Sequence, residues 1–184
     1  MTQNSLRGLS FAVILTAAMA ARAASGDVAT VRDLPPLTPK NHPRIMTMQD
    51  ETSTSKCIGR LVSPLCAVET KIACFLRGDM RLCDLVGGHL SRARSLPRSI
   101  RYLISRAVII NDRHFPWPPS TEMGQPAGVP SVRAGDVRID VRQMYCFSGD
   151  ARNCAPSYDF PIMYVVRKEN AQWRLMGWYS EVHW

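Results

Sequence analysis

The chain has 184 residues, 46% of them apolar and 21% charged, with a formal net charge of +8 and six cysteines. That length suits one domain with its own hydrophobic core. The composition excludes a collagen, a disordered chain and a polytopic membrane protein, and the sequence carries no nucleotide loop, zinc-ligand pattern or catalytic signature.

The first 23 residues have the three parts of a secretory signal peptide: Arg7, an apolar run from Leu9 to Ala21, and the small-x-small site Ala21-Arg22-Ala23. Cleavage is expected after Ala23. The apolar run is well short of the ~20 residues that span a bilayer. Its alanine-rich style is bacterial, so the expected destination is the periplasm or the outside. Export places all six cysteines in an oxidising compartment, where an even count points to disulfides rather than to a metal site or a nucleophile. No connectivity follows from sequence alone. The grouping favours Cys146 with Cys154 across one loop, and pairing among the other four, first as Cys57–Cys66 and Cys74–Cys83.

Residues 24–56 are rich in proline and polar residues without periodicity. They read as an extended or disordered lead segment, with order beginning near Cys57 and a single α+β domain over 57–184. Ser63-Pro64 is a helix start, with Leu65, Val68, Ile72, Phe75 and Leu76 at helical spacing and Gly78 at the stop. Asp79 caps a second short helix ending at Gly87-Gly88. Pro97 to Ile110 reads as a short helix passing into a strand. The segment His114 to Pro130 reads as a long loop. Val137, Ile139 and Val141 alternate with Arg138, Asp140 and Arg142, which predicts a strand with one buried and one wet face. After a polar loop from Ser148 to Ser157, strands at Phe160–Arg167 and Gln172–Val182 flank a turn at Lys168–Ala171. The fold class expected is therefore α+β, with N-terminal helices packed on an antiparallel sheet and stapled by disulfides.

Two stretches carry a family likeness: Ala67–Asp79 (AVETKIACFLRGD), a helix ending in Gly-Asp, and Tyr164–Tyr179 (YVVRKENAQWRLMGWY), a charged turn followed by a Trp-Arg-apolar strand. Over residues 60–184 this order resembles the nuclear transport factor two-like superfamily. The resemblance implies a cone-shaped roll, in which a strongly curved sheet wraps the helices and leaves a pocket at its open end. Members include isomerases, dehydratases and secretion-complex subunits, so the fold alone assigns no role.

An enzyme of that shape uses a carboxylate or histidine as general base beside a tyrosine or second acid. Tyr179, Glu181 and His183 share one strand face and are the candidates for it, with Asp112, His114, Tyr145 and Asp159 at neighbouring strand ends. The four histidines show no metal-ligand spacing, and neither a metal nor a cofactor is expected. Charge is more informative. No acid falls between Asp84 and Asp112, while Arg92, Arg94, Arg98, Arg101 and Arg106 all do. Such a basic stretch suits an envelope protein or an anionic surface as partner, and export argues against nucleic acid. Trp173 and Trp178 stand five apart, so a regular strand sends them to opposite faces unless a bulge near Gly177 restores the phase. An outward Trp178 suits a docking surface. The reading that results is a non-enzymatic exported domain that binds a protein or anionic partner in the bacterial envelope, as an accessory subunit or an inhibitor or immunity-like protein. Its rival is a small pocket enzyme or ligand binder using Tyr179, Glu181 and His183.

Overall fold

The structure is a computed structural model and describes residues 28–37, 44–87, 96–114, 122–124, 132–148 and 153–179. The expected leader, residues 1–23, lies outside them. Among the described residues the helices are α1 (Pro64–Arg77) and α2 (Met80–Val86). The strands are β1 (Arg44–Thr47), β2 (Ser99–Ile109), β3 (Glu122–Gly124), β4 (Val137–Cys146), β5 (Cys154–Pro156), β6 (Ile162–Glu169) and β7 (Gln172–Tyr179). They form one antiparallel sheet in the order β1-β2-β4-β6-β7-β3, with β5 beside the end of β4. The sheet curls strongly into a half-barrel with both helices on it. No helix among the described residues is long and apolar enough to cross a membrane.

The helices begin and end where their capping chemistry dictates. Ser63 Oγ accepts a hydrogen bond from the Cys66 N–H at 3.1 Å, Pro64 occupies the first turn, and Gly78 closes α1 at φ 62°. Asp79 accepts from the Arg81 N–H, and Gly87 ends α2 at φ 77°. Helix α1 packs mainly on β6 and β7. Val68, Ile72 and Leu76 meet Ile139, Val141, Tyr164, Val166, Trp173 and Leu175 on the inner face of the sheet. Full burial of a side chain such as Ile72 is worth roughly 1.5–3 kcal/mol. The three cysteine pairs are those the grouping favoured. Cys57–Cys66 ties the preceding loop to the start of α1, Cys74–Cys83 ties α1 to α2, and Cys146–Cys154 joins directly opposed residues of β4 and β5.

Several expectations need correction. Order does not wait for Cys57: Arg44–Thr47 forms the edge strand β1, pairing Ile45 with Arg101 and Thr47 with Ser99. Residues 99–109 are strand throughout and contain no helical turn. Their apolar positions fit either period, and the long ladder with β4 selects the extended form, with Ile100, Tyr102 and Ile104 inward. The 114–130 segment contains β3, which pairs with β7. The turn is tighter than Lys168–Ala171, because Glu169 pairs with Gln172 and only Asn170 and Ala171 lie between, at φ 51° and 64°.

The largest correction concerns the outer face of the sheet. Arg138 and Asp140 are not wet but only 6% and 7% exposed. They form a two-pronged ion pair, Nε to Oδ1 at 2.7 Å and Nη2 to Oδ2 at 2.9 Å. Arg167 and Asp136 do the same across strands at 2.7 and 2.8 Å. Beside them Ile110, Val132, Met163, Val165, Met176 and Tyr179 make a second apolar cluster. The part of this face over β1, β2 and the distal half of β4 presents Arg98, Arg101 and Arg142, and Arg174 on β7 is exposed apart from them.

Candidate functional site

On the β2–β4 ladder, side chains of alternate residues stand on the outer face. Arg101 lies opposite Met144 and Leu103 opposite Arg142, which sets cations and apolar groups in a checkerboard. Beyond β5, residues 156–160 form a wall beside that checkerboard. Together these elements enclose a pocket of about 400 Å3 lined by Arg101, Leu103, Arg142, Met144, Pro156, Tyr158, Asp159 and Phe160. Met144, Tyr158 and Phe160 are 41%, 43% and 49% exposed. A second pocket of about 570 Å3 adjoins it over β1, lined by Ile45, Thr47, Met48, Gln49, Thr52, Arg98, Ser99, Arg101 and Ser148. Arg101 belongs to both.

Arg98, Arg101 and Arg142 have no carboxylate within ion-pair reach among the described residues, in contrast to the buried pairs of Arg138 and Arg167. Their guanidinium groups hold donors in a planar fork suited to phosphate or carboxylate. A concave site with apolar walls and unneutralised cations concentrates anions.

The remaining sequence candidates fall in different places. Arg106 is exposed beside the β2 bulge, opposite Asp140, and lines neither pocket. Arg92 and Arg94 lie outside the described residues, as do Glu181 and His183. Tyr179 is buried in the outer apolar cluster. Tyr145 points to the inner face and stacks on Phe75 at 5.7 Å, and burial, followed by the charge of Tyr158, pushes its hydroxyl up to about 12. Asp159 lines the outer pocket, while Asp112 and His114 sit on a 3₁₀ turn after β2. Trp178 faces inward. Met176 is an extra residue between the paired positions Leu175 and Gly177, so this bulge brings Trp173 and Trp178 to the same side. Glycine suits position 177, because a Cβ there would stand 2.8 Å from the Tyr179 hydroxyl and force that side chain to shift.

The interior holds two polar groups that sequence reasoning passed over. Glu69 on α1 is 0% exposed and accepts hydrogen bonds from Arg44 at 2.7 Å, Tyr102 at 2.5 Å and Ser55 at 2.7 Å. Burial and then the charge of Glu69 raise the Tyr102 hydroxyl far above its usual range, which keeps it a donor. With three donors satisfied and no access, this carboxylate ties α1 to β1, β2 and the 55–57 loop and is not placed to do chemistry. Lys71, two residues on, holds its Nζ 4.0 Å from the centre of the Trp178 ring, and burial lowers its ammonium to about 8. Among the described residues no group of three histidine, cysteine or carboxylate side chains is placed to hold a metal.

Arg142 was legible as an outward residue of an alternating strand. Met144, Tyr158 and Phe160 were not, since their role depends on where β5 and the following loop fold back. No family model, no curated protein and no solved structure matches this chain.

Proposed function

We propose that this is a non-enzymatic, exported binding domain that takes an anionic partner of the bacterial envelope on the outer face of its sheet. The observation that carries the reading is the trio Arg98, Arg101 and Arg142, without a carboxylate in ion-pair reach among the described residues and set around two adjoining pockets. The leader-like pattern of residues 1–23 and the pairing of all six cysteines support export into the periplasm or beyond. The curled sheet, the Gly78-Asp79 junction and the Trp173-Arg174 strand support a place in the nuclear transport factor two-like superfamily. The closed environment of Glu69 and the separation of Tyr145 from Asp159 favour binding over acid–base catalysis.

The test is retention on phosphocellulose across a salt gradient. A chain this basic binds any polyanion weakly, so the comparison needs a charge-matched control. Arg98→Glu/Arg101→Glu/Arg142→Glu is expected to elute at far lower salt than Arg32→Glu/Arg60→Glu/Arg174→Glu, whose residues are exposed and line neither pocket. Equal elution of the two triple variants would overturn the reading.

A further inference from the structure

The two adjoining pockets differ in character, and Arg101 stands on the ridge between them. On one side Leu103, Met144, Pro156, Tyr158 and Phe160 form an apolar floor and wall. On the other, Gln49, Thr52 and Ser99 accompany Arg98 beside Ile45 and Met48, with no carboxylate among the described lining residues. The apolar side carries Asp159 beside Arg142, whereas the other has Arg98 and Arg101 with no carboxylate among the described lining residues, which directs a negative group towards that pair. A molecule that satisfies both pockets is apolar at one end and, at the other, anionic and rich in hydroxyl groups.

We infer that the outer face binds a single molecule of an anionic, single-chain amphiphile with a polyol-phosphate headgroup, of the lysophospholipid type. The inference rests on the anionic-partner reading above and gives that partner a chemical class. The phosphate sits between Arg98 and Arg101, where planar guanidinium donors match its oxygens. The polyol meets Gln49, Thr52 and Ser99, and the chain runs over Leu103 and Met144 against Tyr158 and Phe160. Pocket volumes of about 400 and 570 Å3 fall in the roughly 300–1,000 Å3 typical of small-molecule sites. A protein partner of ordinary affinity covers about 800 Å2 of each surface and meets a flat or broadly curved face. A bilayer presents its phosphates in a plane and fills neither concavity unless one molecule is drawn out of it.

Isothermal titration of the full mature chain with lauroyl-lysophosphatidylglycerol, held below its micelle concentration, tests this. The expected result is one molecule bound per chain. Glycerol 3-phosphate, the headgroup without a chain, and dodecyl maltoside, a chain with an uncharged sugar head, are each expected to bind at least ~10-fold more weakly. Arg101→Gln is expected to weaken the lysolipid by at least ~10-fold and Leu103→Ser by ~5-fold or more, while Arg174→Gln leaves it unchanged; circular dichroism checks that each variant folds. Equal affinity for the lysolipid and glycerol 3-phosphate, or undiminished binding by Arg101→Gln, overturns the inference. Failure here with the phosphocellulose result intact would leave an anionic partner of another class, whereas failure of both removes the outer face as a site.

Discussion

Arg138 and Asp140 show how a charged pair comes to occupy a protein interior. Each is desolvated, and the two-pronged geometry supplies the hydrogen bonds that make the arrangement tolerable. Arg138→Asp would leave two buried carboxylates facing each other, with an expected loss of about 3–5 kcal/mol, the range for breaking a buried pair. A denaturant midpoint well below that of Arg142→Asp, made at an exposed position of the same strand, is the outcome to look for. Matching midpoints would mean that the outer face is wet there after all. Lys71 offers a pH-dependent counterpart. Burial holds its folded-state value near 8, below the 10.5 of an ordinary lysine. Between those values the unfolded chain binds the extra proton, so this residue's contribution to stability rises with pH from about 8 to 10.5. Lys71→Met removes that dependence. The stability difference between the two is expected to move in the parent's favour by up to ~3 kcal/mol across the window, as thermal melts at several pH values would show. A difference that stays constant with pH would contradict the burial of the ammonium.

At the scale of elements, what could be read in advance follows from how local the determining physics is. Both helices are delimited by Ser63-Pro64, Gly78, Asp79 and Gly87, whose capping preferences act within a single turn. The hairpin of β6 and β7 is equally local, and its two-residue turn leads to a specific expectation. Asn170 tolerates a left-handed backbone, but Ala171 at φ 64° is strained by its Cβ. Ala171→Gly is therefore expected to stabilise the domain by about 1 kcal/mol, seen as a higher urea midpoint; a lower midpoint would argue against this turn. Strand β2 was misread because Ile100, Leu103, Ile104 and Ala107 satisfy a helical period as well as an extended one. The deciding partner, β4, lies more than thirty residues further on. The same non-locality hid β1, a four-residue strand that exists only because β2 offers it an edge. The Trp173–Trp178 spacing carried its own clue. Two core tryptophans five apart on a strand require a bulge, and Met176 supplies it.

For the whole molecule, the net charge of +8 and the acid-free stretch from 85 to 111 made a basic surface legible, but not its shape. Arg98 and Arg101 are joined by Arg142, over forty positions away in sequence, and by an apolar wall that depends on β5 folding back along β4. Arg106, in the same basic stretch, lines neither pocket. Among the described residues, paired charges and a small apolar cluster cover much of the face over β4, β6 and β7, whereas the β1–β2–β4 end carries both pockets. The most direct measurement is amide hydrogen exchange of the chain lacking residues 1–23, with and without lauroyl-lysophosphatidylglycerol held below its micelle concentration. The account predicts slowed exchange confined to residues 44–52, 98–103, 142–146 and 154–160, abolished by Arg98→Glu/Arg101→Glu/Arg142→Glu. Slowed exchange centred instead on 172–179, or the same footprint in the triple variant, would contradict it.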